Sequence, residues 1–521
     1  MKQCPLRGSP LVVAIAACLA AGALQATTIT VDTHLDGPVG QGSTDCSLRA
    51  AIASANTASA VDGCTSGSPV GDQIVFARAL GGAEIVLTQG EILIEGPVNI
   101  AGPVPGDATG ITINGDNLSR IFKAVDAPLG LTDLSLTRGR TTADSQPGGA
   151  IFASGAGIAL VNIQVTSSTT TGQSSPGGGI RIEDGDLLLI GSVISGNSSS
   201  GFGGGVAVSE GSAQIVDSVI ADNYASSGGG GLGFYLGTHA VSDSLISGNT
   251  SGSNGGGISA SSSSLALANS TVSNNRADGN TSLGAGGGVV VSGGNAQLVD
   301  AIIADNYALG WGGGLWFGTG THEVSDSLIS GNTSGGDGGG VFEGSNGLVL
   351  ANSTVSNNRA EGAGLNGGGV FSFASAPVHL NHSTIAFNTA GNGATDGVHG
   401  ANLIFQNSLV VQAGAGETAC GGQNSVLFDP GSLATDASCA TPVATAAAIG
   451  LQPLTDNGGW TPTHALATGS AAIGIAGDCT AFGFTTDQRG APRPGLGSNA
   501  CDSGAFEFQA EDQVFKDRFQ Q

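Results

Sequence analysis

Basic residues are scarce in this sequence, which carries 15 Lys and Arg against 40 Asp and Glu over 521 residues. Nucleic acids and anionic membranes are bound through clustered Lys and Arg, so a formal net charge of -25 argues against both as partners. Charged residues make up only 11% of the chain and hydrophobic residues 40%, a combination that does not fit a disordered protein. We therefore expect a folded, acidic protein that does not bind nucleic acid.

Aromatic residues amount to 5% of the chain, whereas glycine is abundant, with 91 residues. The glycines do not recur at every third position, which excludes a collagen triple helix. Apolar stripes with the 3.6-residue period of a helical solenoid are absent as well. Frequent Gly, Ser and Asn together with Val and Ile are typical of a turn-rich, all-β repeat protein.

Apolar runs long enough to span a membrane are absent, so no transmembrane span is predicted. Residues 1–26 combine Lys2 and Arg7 with a short apolar run and small residues, the pattern of a secretory signal peptide. Cleavage is expected after Ala26, with Ala23 as the alternative. A loose lipobox ending at Cys18 leaves a further alternative, in which that cysteine carries lipid. The sequence predicts an exported protein.

Cysteines are absent between residues 65 and 419, and removal of the signal peptide leaves six in two terminal groups. They are Cys46, Cys64, Cys420, Cys439, Cys479 and Cys501. Six cysteines allow about 15 connectivities, of which short loops favour the local pairs Cys46–Cys64, Cys420–Cys439 and Cys479–Cys501. Because no C-x-x-C pair exists, the cysteines predict disulfide clips rather than a metal site.

Two motifs recur on the same rhythm of 26 to 31 residues. A Gly-Gly-(Gly/Ala)-apolar tetrad carries its apolar residue at Ile151, Ile180, Val206, Leu232, Ile258, Val289, Leu315, Val341 and Val370. Asparagines follow at Asn197, Asn223, Asn249, Asn275, Asn306, Asn332, Asn358 and Asn388. Residues 216–252 also reappear, with few changes, 83 residues later at 299–335. Three repeats were therefore copied as one block.

One period shows what each repeat builds. The runs 206–208, 213–215 and 219–220 are short and apolar, and turn residues separate them. Three short strands in about 26 residues predict one coil of a right-handed, single-stranded parallel β-helix, the pectin-lyase-like solenoid. A propeller blade would need four longer strands. We expect the asparagines of successive coils to bond to one another inside a turn, and the glycines to permit close approach between coils.

The same patterns predict the domain organisation. A signal peptide covers 1–26, an N-terminal cap 27–72, a β-helix of about 13 coils 73–412, a small disulfide-clipped C-terminal cap 413–508 and a tail 509–521. In the N-terminal cap, Leu48, Ile52 and Ala55 have helical spacing after Ser47, which predicts a short capping helix.

Both ends resemble known families. The segment Cys46-Ser-Leu-Arg-Ala50 resembles the CSLREA-type exported repeat proteins but departs at Ala50, where that family has Glu. Segments 451–459, 463–466, 487–490, 492–493 and 501–505 resemble the choice-of-anchor Q domain, and the coils resemble the polymorphic outer-membrane-protein repeats. These resemblances imply a right-handed β-helix at, or released from, a bacterial cell surface or outer membrane. They imply no reaction.

Candidate catalytic residues are few. A polysaccharide lyase needs clustered carboxylates with an Arg or Lys base, and a glycoside hydrolase needs paired carboxylates. The block copy aligns Asp222 with Asp305 and Asp243 with Asp326, but intervening coils carry Gly, Asn or Ser there. We interpret these acids as solvated turn residues and predict no catalytic residue, metal or cofactor.

Other polar residues also receive structural interpretations. His239 and His322 stand 83 residues apart in copied segments, so duplication explains them better than catalysis. Asp487, Arg489 and Arg493 are interpreted as ion-pairing residues that fix the C-terminal cap.

Four aromatic residues crowd one coil: Tyr307, Trp311, Trp316 and Phe317. Strand alternation places Trp316 outside if Leu315 points inward, and Trp311 lies in a Gly-rich loop. An exposed tryptophan pair is a candidate platform for stacking sugars, whereas the alternative is that the rings merely cover the coil edge. We expect a monomeric, surface-bound or secreted protein without catalysis that binds an extracellular glycan or matrix protein. The alternative is a polysaccharide lyase or glycoside hydrolase with an unrecognised acidic site.

Overall fold

The protein is a right-handed parallel β-helix of about 13 turns, as the sequence predicts. The computed structural model describes residues 27–103, 110–279, 284–345, 347–373, 377–391, 395–412, 417–422, 425–439, 442–479, 483–495 and 499–509. Two compact units divide the chain: residues 1–226 with 235–237, and residues 227–234 with 238–521. The predicted signal peptide, with both cleavage alternatives and Cys18, and residues 510–521 of the predicted tail lie outside the described residues.

Strands of the first unit form three parallel sheets, here called A, B and C. Sheet A contains Thr27–Val31, Asp72–Phe76, Ile92–Ile94, Val98–Ala101, Phe122–Val125, Leu129–Thr132, Ile151–Ser154, Ile158–Val161, Ile180–Glu183, Leu187–Ile190, Val206–Ser209 and Ala213–Val216. Sheet B contains Glu84–Val86, Ile111–Asn114, Leu134–Thr137, Gln164–Thr166, Val193–Ser195 and Val219–Ala221. Sheet C contains Arg140–Thr141, Thr169–Thr170, Ser198–Ser199 and Tyr224–Ala225.

The second unit repeats this arrangement. Its sheet A strands are Leu232–Ser242 (apart from residues 235–237, which belong to the first unit), Ile258–Ala268, Val289–Gly293, Ala296–Val299, Leu315–Thr319, His322–Ser325, Val341–Glu343, Leu348–Ala351, Val370–Ser372, Val378–Asn381, Val398–His399, Asn402–Gln406, Cys420–Gly421 and Ser425–Phe428. Sheet B contains Leu245–Ser247, Thr271–Ser273, Ile302–Ala304, Leu328–Ser330, Thr354–Ser356, Thr384–Ala386, Leu409–Val411 and Leu433–Ala434. Sheet C contains Thr250–Ser251, Arg276–Ala277, Tyr307–Ala308, Thr333–Ser334 and Arg359–Ala360.

Sheet C is the part of the coil that the sequence did not predict. Each of its strands has two residues and follows the coil's asparagine or the corresponding position. Two residues are too few to show the alternation by which strands are recognised. The other strands follow the apolar pattern, because alternate side chains point into the coil. In Leu315–Thr319, for example, Leu315 and Phe317 are fully buried while Trp316 is only partly covered.

Hydrogen bonds join the repeated asparagines into a ladder inside the second unit. The Nδ2 of Asn306 donates to Asn332 Oδ1 at 2.9 Å and to the Val272 carbonyl at 2.9 Å. Its Oδ1 accepts from the backbone and side-chain nitrogens of Asn275, both at 3.0 Å. The same side-chain bonds join Asn249, Asn275, Asn306, Asn332, Asn358 and Asn388, and in the first unit Asn197 donates to Asn223. Buried amides thus use both hydrogens and both lone pairs.

The ladder explains the repeated glycines. In the triplet 312–314, Gly312 has a φ of +66°, which favours glycine. A Cβ on Gly313 would lie 2.3 Å from the Gly339 carbonyl oxygen, and one on Gly314 would lie 2.9 Å from the side-chain amide of Asn332. Glycine is therefore required where each coil touches the asparagine and the backbone of the next coil.

A helix covers a strand edge in the first unit. It spans Leu48–Thr57, and the Ser47 hydroxyl accepts from the Ala50 N–H at 3.1 Å, which confirms the predicted cap. The Asn56 side chain donates to the Leu93 carbonyl at 2.9 Å and accepts from the Glu95 N–H at 2.9 Å. These are the bonds that a further strand would otherwise make, so the helix blocks edge-to-edge association.

Three disulfides are present, and they are the predicted local pairs. Cys46 bonds to Cys64, Cys420 to Cys439 and Cys479 to Cys501. Disulfides persist in oxidising compartments, which suggests an exported protein. Among the described residues, no helix has the length and apolar character needed to cross a membrane.

The described residues of the C-terminal segment, 442–479, 483–495 and 499–509, pack along the outer face of sheet B in the second unit. It contains the helix Ala446–Ile449 and the antiparallel pair Leu451–Thr455 and Thr463–Leu466, and a 3₁₀ turn at Ala437–Cys439 precedes it. Thr354 donates to the side-chain oxygen of Gln488 at 2.7 Å, and Ser356 and His464 bond at 2.8 Å. An apolar cluster that includes Leu409, Ile449 and Phe506 lies between the two surfaces. The segment therefore covers the sides of several coils.

Candidate functional site

Aromatic side chains form a column on the outer face of sheet A in the second unit. Four successive strands pair in parallel and in register, which aligns Trp316, Phe342, Phe371 and His399. The ring centroids are 6.3, 5.3 and 5.1 Å apart along this series, with planes within 20° of parallel. Each ring follows an inward-facing apolar residue and so points outward.

Trp311 joins this column from the Gly-rich loop that precedes its strand. Its ring centroid lies 5.6 Å from that of Phe342. A Cβ on Gly336 would lie 2.5 Å from Cδ1 of the Trp311 indole, so the absence of a side chain at Gly336 lets the ring settle against the next loop. Phe342 is thereby flanked by both tryptophans and is 8% exposed.

A groove with a cavity volume of about 410 Å³ opens beside these rings. It is lined by Ser292, Trp311, Trp316, Gly318, Thr319, Asp337, Phe342, Gly344, Ser345 and Phe373. Phe373 is 76% exposed. The volume lies within the range of small-ligand pockets, which are mostly apolar with a few placed polar groups.

Polar groups at and beside the groove come from both loops and strands. One carboxylate oxygen of Asp337 accepts from the Asn366 N–H at 2.7 Å, which fixes the side chain. His399 ends the aromatic column, and its Nδ1 lies 3.1 Å from the Thr395 hydroxyl. Burial lowers the pKa of His399, and the negative charge of Asp337 opposes that shift. Imidazole at this position is therefore uncharged near neutral pH.

The structure separates the four aromatic residues proposed as the ligand site. Trp311 and Trp316 both line the groove, half-buried. Tyr307 lies in sheet C instead, where the Arg276 guanidinium stands 4.3 Å from its ring centroid. Phe317 points into the coil, is fully buried and stacks on His322 at 4.5 Å. Tyr307 and Phe317 do not line the groove, because strand alternation and the bend between sheets turn them elsewhere.

Sequence reasoning missed Phe342, Phe373 and Asp337. A usable signal existed for Phe342, since it occupies the residue after the tetrad's apolar position, as do Trp316 and Phe371. Aligning all repeats on the glycines would have shown this aromatic column. Phe373 and Asp337 lie in loops of variable sequence, for which the repeat provides no register.

Three of the four aligned acids behave as predicted turn residues. Asp222, Asp243 and Asp305 are exposed and have positive φ, a conformation that Asp tolerates. Asp326 departs from the prediction, because it is half-buried where Thr461 of the C-terminal segment donates to its carbonyl. Burial, and then the nearby charge of Asp300, raise the pKa of Asp326 to about 7.

The copied histidines lie in the core. His239 stacks on Phe234 with ring centroids 4.1 Å apart, and His322 stacks on Phe317. Both side chains are fully buried, and burial lowers the pKa of His239 to about 4. Neither histidine reaches the groove.

Ion pairs hold the C-terminal segment. The Arg489 guanidinium binds Asp487 at 2.8 Å and lies 3.6 Å from the Phe506 ring centroid. Arg493 binds Glu507 at 2.9 Å, and its guanidinium also donates to Asn352 at 3.3 Å. The ion pairs hold the segment together internally, the bond to Asn352 joins it to a coil, and neither arginine lines the groove.

Among the described residues, metal ligands do not identify a function for this site, and neither do the comparisons with known proteins. Within the described ranges, no group of three or more His, Cys, Asp or Glu is placed to hold a metal ion. Residues 139–308 match the family described as "Right handed beta helix region". No curated protein matches the chain.

Two solved structures resemble the fold. The periplasmic alginate epimerase AlgG is 12% identical with a TM-score of 0.35, covering 65% of this chain and 79% of its own. The pectate lyase Pel9A is 13% identical with a TM-score of 0.30, covering 94% of this chain and 98% of its own.

Proposed function

We propose that this protein is an exported, non-catalytic β-helix, secreted or held at the cell surface, that binds a glycan in the groove beside Trp311, Trp316 and Phe342. The observation that carries the proposal is the groove itself, in which aromatic rings from successive coils form a rigid wall. Parallel strands fix the wall, so binding would order few additional side chains.

Sugar rings suit this wall because a pyranose has apolar C–H faces and polar edges. The aromatic rings supply the apolar contact. Hydroxyls of Ser292, Thr319 and Ser345 lie on the groove lining, where they can exchange hydrogen bonds with sugar hydroxyls. The half-exposed indole of Trp311 and the exposed Phe373 provide ring surface that a ligand can still cover.

Binding rather than catalysis fits the groove's ionisable groups. Among the described residues that line it, Asp337 is the single acid, and neither Lys nor Arg is present. A glycosidase of either stereochemical type needs two carboxylates across the scissile bond. A lyase needs a base together with groups that neutralise a uronate. Catalysis by this groove is therefore not part of the proposal.

The test is a glycan array probed with the exported chain, followed by affinity measurements on the best ligand. Trp311→Ala combined with Trp316→Ala should weaken binding by roughly 30-fold or more, since each stacking ring contributes about 1 kcal/mol or more. Tyr224→Ala is the matched control, because it removes a 44% exposed tyrosine from the first unit and should leave affinity unchanged.

Two results would contradict the proposal. Retained affinity in the folded double tryptophan variant would exclude the groove. Release of unsaturated or reducing ends from any bound polysaccharide would show catalysis and favour the lyase or hydrolase alternative.

A further inference from the structure

We infer that the groove selects uncharged pyranose glycans and discriminates against uronate polymers, with Asp337 as the specificity-determining residue. This inference rests on the proposed function and names the ligand class of the same site. It follows from the distribution of charge around the groove, whereas the proposal of glycan binding follows from the aromatic wall.

The carboxylate of Asp337 is fixed at the groove. One oxygen accepts from the Asn366 N–H at 2.7 Å, which holds the side chain at the lining instead of letting it swing into solvent. Its negative charge also acts on the His399 imidazole at the end of the aromatic column. A uronate sugar on the aromatic wall would bring a second carboxylate close to Asp337, and like charges repel.

Among the described residues that line the groove, no Lys or Arg compensates for this repulsion. Residues 277–358, which supply most of the groove lining, contain seven Asp and Glu and neither Lys nor Arg. The flanking Arg276 and Arg359 lie in sheet C, outside the groove lining, where they pair with Asp278 and Glu361 respectively. Recognition of an anionic polymer uses Arg or Lys to pair its carboxylates, as bidentate guanidinium contacts do. The whole chain adds a net charge of -25, which repels polyanions at longer range.

An uncharged glycan meets none of these penalties. Its C–H faces contact the rings, its hydroxyls can donate to Asp337, and a hydrogen bond to a carboxylate is stronger than one to a neutral acceptor. Asp337 therefore favours one ligand class and opposes the other.

The experiment measures the affinity of the exported chain for neutral hexasaccharides (cello-, xylo- and chito-oligomers) and for polygalacturonate and alginate hexamers, at low and high salt. We expect at least one neutral oligomer to bind at least tenfold more tightly than either uronate. Salt should leave neutral binding unchanged and should strengthen the residual uronate binding, because screening weakens repulsion.

Asp337→Asn tests the residue itself. The amide keeps an acceptor for the Asn366 N–H, so the loop should hold its conformation. We expect uronate affinity to rise roughly 2- to 5-fold and neutral affinity to fall or stay the same. Asp305→Asn is the charge-matched control, since it removes one exposed carboxylate away from the groove and should change neither affinity.

The outcomes separate the two claims. Tight uronate binding that is lost in the double tryptophan variant would overturn the inference on selectivity and preserve glycan binding by the groove. Equal gains in Asp337→Asn and Asp305→Asn would overturn the role of Asp337. No binding by any hexasaccharide would overturn glycan binding and, with it, the inference.

Discussion

The outer face of sheet A is built differently in the two units, although the backbone register is the same. In the first unit, the Arg120 guanidinium lies 5.3 Å from the Phe152 ring centroid, and that of Arg181 lies 5.0 Å from the Phe202 ring. In the second unit, Trp316 and Phe342 stack on each other and border a groove. On this face a guanidinium covers aromatic rings in the first unit, whereas among the described residues of the second unit the guanidinium contacts are with Tyr307 and Phe506, not with Trp316 or Phe342.

The arginines of the first unit are held in place. Arg120 binds Glu91 at 2.6 Å, Arg181 binds Glu183 at 2.9 Å, and both are mostly buried. Burial lowers the pKa of each guanidinium, while the partner carboxylate opposes the shift. A planar cation over a ring removes the surface that a sugar would use. One residue type therefore decides whether a cation covers the rings of this face, and we propose that only the uncovered column binds a ligand.

The largest expected effect concerns the feature that both units share. Asn306→Ala should destabilise the fold by about 3 kcal/mol, because it leaves the backbone N–H of Asn275 and one of its two side-chain amide hydrogens without an acceptor; the other hydrogen keeps the Ile246 carbonyl. Asn197→Ala in the first unit should cost less, about 2 kcal/mol, since its Oδ1 accepts from the Ser168 N–H rather than from another ladder amide. Urea unfolding measures both.

A control variant tests whether the lost stability comes from the asparagine ladder. Asn295→Ala removes an exposed bond to the Thr321 N–H and should cost less than about 1 kcal/mol. Equal losses for Asn306→Ala and Asn295→Ala would show that the ladder carries no special stability.

The shared parts of the fold were predictable from sequence, and the groove was only partly so. Glycine triplets and asparagines recur because each coil must pack closely against the next, and this requirement applies to every repeat. Phe373 and Asp337 obey no such constraint, since they lie in loops whose length and sequence vary. Phe317 was placed with the ligand site because it lies close to the tryptophans along the chain. Closeness in sequence does not put residues on one face of a strand, whereas the alternation inside Leu315–Thr319 decides which side chains point outward.

The second largest effect is a difference in acid sensitivity. The first unit contains one histidine, His34, and the second contains the other six. The folded-state pKa of His239 is lowered to about 4, so below about pH 6.5 the unfolded chain takes up a proton that the folded chain does not. Stability from this group is therefore lost as the pH falls from 6.5 towards 4.

His239→Leu isolates that contribution. Between pH 7 and pH 5 the variant should lose about 2 kcal/mol less unfolding free energy than the parent chain. The pKa of Asp326 is raised to about 7, so the contribution of this group to stability grows as the pH falls, opposite to that of His239. Because Asp326 is present in both proteins, its contribution cancels in the comparison. Hydrogen exchange should show that protection falls first in the second unit on acidification. Earlier loss in the first unit would contradict the assignment.

A smaller effect on affinity is expected from placing a guanidinium beside the groove rings, as the first unit does with its own rings. Thr319→Arg places a guanidinium at the lining, and we expect neutral glycan affinity to fall about tenfold with stability unchanged. Gln297→Arg adds the same charge at an exposed position of Ala296–Val299, a strand outside the groove lining, and should leave affinity intact. Calorimetric titration distinguishes the two variants, and equal losses would mean that charge rather than access matters.

The smallest effect is expected from uncovering an aromatic ring in the first unit. Arg181→Ala removes the cation from Phe202 and should cost about 1 kcal/mol of stability through lost packing and cation–π attraction. It should leave glycan affinity unchanged, because no neighbouring tryptophan wall exists there. A second binding stoichiometry in this variant would show that the guanidinium alone conceals a site.

The most direct test of the account uses the three tryptophans as reporters. Trp460→Phe leaves the two groove indoles, whereas Trp311→Phe with Trp316→Phe leaves Trp460, which is 53% exposed in the C-terminal segment. Acrylamide quenching is measured for each protein with and without a saturating neutral oligosaccharide. We expect the glycan to protect the groove indoles from quenching and to leave the quenching of Trp460 unchanged. Protection of Trp460, or binding that leaves the groove indoles equally quenched, would contradict the account.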